Sequence, residues 1–137
     1  MYCGQSALPL APDSLYYLTN DAIENCTVYD FQNNRAGQVY DFGRAMGKDP
    51  YELFLSGPLS LLTMENPQAQ AGRELILFRD SFGSSIAPLL ISGYSKITLV
   101  DIRYIHPDYL ARFIDFEGCD VLFLYSTLVL NNSETLK

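Results

Sequence analysis

The stretch 73–90, which reads RELILFRDSFGSSIAPLL, constrains the fold more than any other part of the chain. Leu75, Ile76, Leu77 and Phe78 form a short continuous apolar run, the pattern of a strand covered on both faces. Ile86, Ala87, Leu89 and Leu90 then recur at near-helical spacing, and between the two lie Asp80, Ser81, Gly83, Ser84 and Ser85. A serine at such a turn faces unpaired backbone N–H groups and the positive end of a helix dipole, where an oxyanion is stabilised.

The same alternation continues downstream. Residues 96–101 read as a second buried strand, residues 107–113 as a helix opened by Pro107, and residues 121–125 as a third apolar strand, with Gly93 and Gly118 ending the two helices. Strand, helix, strand, helix, strand is a right-handed parallel unit, so the back half is expected to be half of a doubly wound α/β sheet. Ligands of such sheets bind outside the carboxyl ends of the strands. Three sequence-distant groups meet there: Asp80 with Ser81, Asp101 with Arg103, and Tyr125 with Ser126.

The first third has a different grammar. Pro9 and Pro12 make residues 5–13 a surface loop, residues 15–18 read as a short strand, and residues 20–25 as a turn or a single helical turn. Residues 26–31 are β-branched and aromatic, residues 33–37 carry turn chemistry, and residues 38–42 are expected to return as a hairpin partner. Asp49 followed by Pro50 opens a helical turn, Gly57-Pro58 breaks the backbone, and residues 59–64 form another strand. The expected architecture is a single α/β domain over 1–137, with a β-rich antiparallel excursion at 1–50 and a parallel α/β core at 51–137.

Charge removes several functions. A net charge of −7, with no clustered Lys or Arg, argues against a nucleic-acid or anionic-membrane surface. No run approaches the ~18 apolar residues of a membrane span, and the first residues lack the pattern of a signal peptide, so the chain is expected to carry no address of its own. Cys3, Cys26 and Cys119 show neither zinc-ligand spacing nor a closed disulfide framework, and no metal or cofactor is expected.

At the 80–81 turn two readings stand side by side: Ser81 as a helix N-cap, or Ser81 as a nucleophile with its own N–H holding an oxyanion. The G-x-S-x-G pattern of an α/β-hydrolase elbow is absent. A serine hydroxyl also needs a positioned base, and the chain has one histidine, His106. Its neighbour Pro107 makes it a helix-entry loop residue; the alternative is a local triad of His106 and Asp101 serving Ser81. Arg103 reads either as an anion clamp or as the ion-pair partner of Asp80 or Asp101.

Four ordered blocks carry a family resemblance: YELFLSG at 51–57, LILFRDSF at 75–82, ITLVDIRY at 97–104 and DVLFLY at 120–125. They resemble the carboxyl-terminal part of the DHHW family, which is similar to the SGNH-hydrolase-like proteins of alginate O-acetylation. The resemblance implies a partial SGNH-like three-layer sandwich, an extracytoplasmic parent protein and O-acyl chemistry on carbohydrate or another acylated small molecule. It places the family's serine at Ser81, Gly57 near an oxyanion pocket, and Arg103 and Tyr125 in the cleft. The Asp-His-His-Trp motif that would supply acid and base is absent from these residues. The chain therefore resembles a nucleophile half that begins partway through something larger and is inactive alone; the alternative is a non-catalytic glycan-binding or scaffold module. Either way, an exposed sheet edge and self-association are expected.

Overall fold

A computed structural model describes residues 11, 14–70 and 72–136. Its strands are β1 (Thr27–Asp30), β2 (Arg35–Gly37), β3 (Leu61–Glu65), β4 (Glu74–Arg79), β5 (Lys96–Val100) and β6 (Asp120–Leu124). They form one sheet in the order β2-β1-β3-β5-β4-β6. The contacts β2–β1, β1–β3 and β3–β5 are antiparallel, whereas β5–β4 and β4–β6 are parallel. The parallel unit read from the sequence is β5-β4-β6, and β3 joins it to the antiparallel excursion.

β4 lies between its two parallel neighbours because the chain passes from it to β5 on one side and then crosses back over it to β6 on the other. Among the described residues the α-helices are α1 (Asp21–Asn25), α2 (Phe42–Ala45), α3 (Ser81–Leu90) and α4 (Thr127–Asn131). The crossover to β5 runs through α3, and the crossover to β6 runs through a 3-10 helix at Pro107–Arg112. Two right-handed crossovers in opposite directions must cover opposite faces, and the packing follows. Ala87 of α3 and Ile91 bury against Leu75, Leu77, Leu62, Met64, Ile97 and Leu99. Leu110 and Ile114 bury against Ile76, Phe78, Leu61 and Val100 on the other face. Strand order therefore reverses at β4, and the crevice at its carboxyl end is where a doubly wound sheet takes its ligand.

Several local expectations change. Residues 15–18 form no strand; Tyr17 packs instead on Tyr40 and Phe42. The hairpin turns earlier than its composition suggests, with Asn34 in the left-handed region (φ 51) and β2 already at Arg35–Gly37. Buried Asp30 explains the early turn, because its carboxylate accepts from the backbone N–H and side-chain amide of Asn33 and closes the chain on itself. Residues 38–42 do not pair with β1; Tyr40 bridges Phe54. The helix expected at 107–113 is 3-10 rather than α. The loop expected at 5–13 lies outside the described residues except for position 11.

β6 departs from its sequence pattern most. Its run reads as a strand covered on both faces, yet Val121, Leu122 and Phe123 are 47%, 39% and 63% exposed. Among the described residues its one sheet neighbour is β4, so it is an edge strand.

Candidate functional site

β4 ends in Arg79 and hands directly to α3 through Asp80. Asp80, not Ser81, is the N-cap. Its Oδ1 accepts from Phe82 N at 3.0 Å, and its Oδ2 accepts from Ser126 N at 2.7 Å, so this 1% exposed carboxylate ties the β4–α3 turn to the β6 exit. Capping by the preceding residue leaves Ser81 as the first helical residue, exposed, with its hydroxyl in no hydrogen bond among the described residues. The cap reading of Ser81 is thereby corrected by one position. Ser85, one helical turn on, donates to Phe82 O and accepts from the Tyr51 hydroxyl at 2.8 Å.

Beneath the turn lies a group that sequence reasoning passed over. Arg79 is 0% exposed; its Nη2 donates to Leu59 O at 3.1 Å, and its Nη1 stands 3.7 Å from Asp101 Oδ2. Nε and Nη1 have no hydrogen-bond partner among the described residues, and burial pulls the guanidinium below its ordinary value despite the neighbouring carboxylate. The available signal was a lone cation closing an apolar strand directly before Asp80.

Asp101, also 0% exposed, is the ion-pair partner of Arg103. Arg103 grips it with Nε at 2.9 Å and Nη2 at 2.7 Å, a bidentate ion pair that raises the Arg103 guanidinium above its ordinary value. The same grip overturns the local triad. Asp101 is taken by two arginines, whereas His106 Nδ1 accepts from Asp108 N at 3.3 Å and lies 3.4 Å from Asp108 Oδ2. His106 is thus the N-cap of the 3-10 helix, with its side chain 51% exposed, and among the described residues no hydrogen bond joins it to Ser81.

Gly57, expected near an oxyanion pocket, sits in a left-handed stretch of backbone. Leu55, Ser56 and Gly57 all have positive φ (53, 59 and 92), a tight turn in which Gly57 N donates to Phe54 O at 3.2 Å. That N–H is spent inside the turn. Glycine is required there because a Cβ would meet Glu52 Cγ at 3.1 Å in a left-handed conformation.

Tyr125 leaves the end of β6 with its hydroxyl buried and, among the described residues, unpartnered. Burial first, then the Asp101 charge, pushes the phenol from the ordinary 10.0 to about 12. The folded state holds this proton more tightly than the unfolded chain. Its contribution to stability is thus complete below pH 10 and is lost as pH rises toward 12. In urea titrations the midpoint should fall more steeply above pH 10 for the native chain than for Tyr125→Phe. Equal slopes would show that the Tyr125 phenol is in contact with water.

Beside this cluster a cleft of about 550 Å³ opens between Arg103 and Tyr104 on one side and Leu128, Asn132 and Glu134 on the other. Its second wall is α4 with the turn that follows, and the α4 N-cap is Ser126, whose N–H is the one held by Asp80. A separate cavity of about 290 Å³, lined by Asp30, Arg35, Asp41 and Ser56, lies against the hairpin and does not include Ser81. No group of three or more His, Cys, Asp or Glu suited to a metal ion occurs among the described residues.

No family model matches the chain, and no curated protein matches it by sequence. Solved structures do. A DHHW family protein from Eubacterium siraeum DSM 15702 superposes with a TM-score of 0.54 at 27% identity, over 80% of this chain and 38% of that one. Bacillus cereus PatB1 with a sulfonyl adduct and PatB1 without it both superpose with a TM-score of 0.55 at 22% identity over 82% of this chain. The chain shares their α/β fold. It spans 36% to 38% of the length of these relatives. In this α/β frame Ser81 stands at the carboxyl end of the strand where the strand order reverses.

Proposed function

We propose that this chain carries the nucleophile turn of a serine acyl-esterase or O-acetyltransferase that acts on carbohydrate at the cell envelope. One observation supports this reading most: Ser81 is exposed at the first turn of a ten-residue helix, at the carboxyl end of β4, with its capping duty transferred to Asp80. A hydroxyl there attacks an acyl carbonyl, and the helix N-terminus faces the negative charge that develops. The likeness to PatB1, on which a sulfonyl adduct has been captured, and to a DHHW family protein supports an extracytoplasmic setting for the whole protein. Among the described residues no helix is long and apolar enough to cross a membrane.

His106 is committed to Asp108, so among the described residues no base is placed for Ser81, and the expected turnover of acetyl esters by this chain alone is negligible. The absence of a base also favours a second reading, a glycan-binding module that keeps the fold without the chemistry. Reaction with an aryl sulfonyl fluoride, with imidazole added as external base, separates the two. Under the first reading the sulfonyl mass increment falls selectively on the peptide containing Ser81 and disappears in Ser81→Ala. Labelling spread evenly over exposed serines would leave only the binding module.

A further inference from the structure

We infer that buried Arg79 is the positioning residue of the Ser81 turn: its side chain holds the first turn of α3 to the ends of β3 and β5, so that the hydroxyl is presented in one orientation. What the hydroxyl then does rests on the acyl-transfer reading. Ser81 itself has little to fix it, being exposed, with its hydroxyl in no hydrogen bond among the described residues. Asp80 ties the turn to β6 through Leu124 O and Ser126 N.

Arg79 supplies the other side. Its Nη2 donates to Leu59 O, just ahead of β3, and its Nη1 faces Asp101, the residue that follows β5. These anchors are themselves fixed: Asp101 N donates to Ser60 O at 2.9 Å, and Arg103 grips the Asp101 carboxylate. Between backbone and guanidinium, the stem runs directly beneath the helix. A Cβ on Gly83 would stand 2.4, 2.9 and 3.3 Å from Arg79 Cβ, Cγ and Cδ, so the first turn of α3 rests on this stem. A planar head held at both ends fixes the rotamer of the stem, and the stem fixes the turn.

Stability does not account for an arginine here. The side chain is 0% exposed, Nε and Nη1 have no hydrogen-bond partner among the described residues, and taking a guanidinium out of water is costly. Methionine would place the same first carbons under Gly83 without that cost. The lost bond to Leu59 O would be offset by the charge no longer buried, and Asp101 would keep its bidentate pair with Arg103. What methionine lacks is a fixed head: it has three rotatable bonds and no donor. A charge buried against its desolvation cost, directly before the turn, is explained by the single conformation it enforces.

Arg79→Met in the whole 137-residue chain separates positioning from stability. Its urea midpoint should match or exceed the native one. The Phe82 and Gly83 amides, which donate to Asp80 Oδ1 at 3.0 Å and to Asp80 O at 3.1 Å, should exchange with solvent several-fold faster, while β5 amides keep their native rates. Selective sulfonylation of Ser81 should fall several-fold as well. Arg79→Lys keeps the charge but not the fork and should restore neither readout. Global destabilisation of Arg79→Met, with β5 amides speeding up alongside, overturns the inference, because Arg79 is then held for stability. Native exchange rates at Phe82 and Gly83 overturn it too, as does full restoration by lysine. If the native chain shows no selective labelling of Ser81, the acyl-transfer reading fails, and the exchange rates still decide whether Arg79 holds the turn.

Discussion

Replacing Asp101 with alanine is expected to destabilise the chain by about 3–5 kcal/mol, the cost of stranding a buried charge by removing its partner. The asymmetry between its two arginines makes the prediction specific. Arg103 has a side chain 22% exposed and can turn its head to water once Asp101 is gone. Arg79 cannot: it is 0% exposed, two of its nitrogens already lack partners among the described residues, and Leu59 O would be its sole remaining hydrogen-bond acceptor there. A denaturant midpoint read at unchanged m-value measures the loss. Adding Arg79→Met to Asp101→Ala should recover most of it, because the stranded charge is then absent; a coupling of this kind is what a double-mutant cycle isolates. Arg103→Ala alone should cost much less, since Asp101 keeps Arg79 at 3.7 Å. A loss below about 1 kcal/mol for Asp101→Ala, or no recovery in the double variant, would mean that water reaches Arg79.

Gly83→Ala is expected to have the next largest effect. Gly83 lies in the first turn of α3, where alanine would ordinarily improve helix propensity by about 1 kcal/mol. Here the added Cβ would stand 2.4 Å from Arg79 Cβ and 2.9 Å from its Cγ. Neither is the far end of a flexible side chain, and Arg79 is held from both sides by Leu59 O and Asp101. Overpacking of a filled site costs about 1–3 kcal/mol or more. Clash therefore outweighs propensity, and Gly83→Ala should lower stability by about 2 kcal/mol while tilting the first turn of α3. The same variant should lose selective sulfonylation at Ser81, since the turn that presents the hydroxyl has moved. Unchanged stability would place Gly83 in ordinary contact with Arg79 and leave helix propensity to decide the substitution.

How much of the molecule is legible in the sequence differs from element to element. β4, α3, β5 and β6 are readable because apolar runs of strand length and apolar positions at helical spacing are local signals. Asp49 and Pro50 announce their 3-10 turn correctly, with Asp49 accepting from Tyr51 N. The hairpin is placed too late because Asn33, Asn34 and Gly37 all carry turn chemistry, and only the buried Asp30 carboxylate decides among them. At the site, Ser81 and Asp80 are both visible, but which of them caps is a one-residue question set by geometry. Gly57 shows a sharper limit, since its backbone break is implied by composition while the commitment of its N–H to Phe54 O is not.

From its residues alone, then, this protein is an α/β chain with a serine at a strand-to-helix turn, because strand and helix periodicities and turn residues act within a few positions of one another. Tertiary structure decided the rest: that β4 sits between β5 and β6, that Asp101 is shared by Arg79 and Arg103 and so withheld from His106, and that β6 stands in water on both faces. Each of these depends on which distant segments meet. A charge is compensated, or a strand covered, only by what the rest of the fold places beside it.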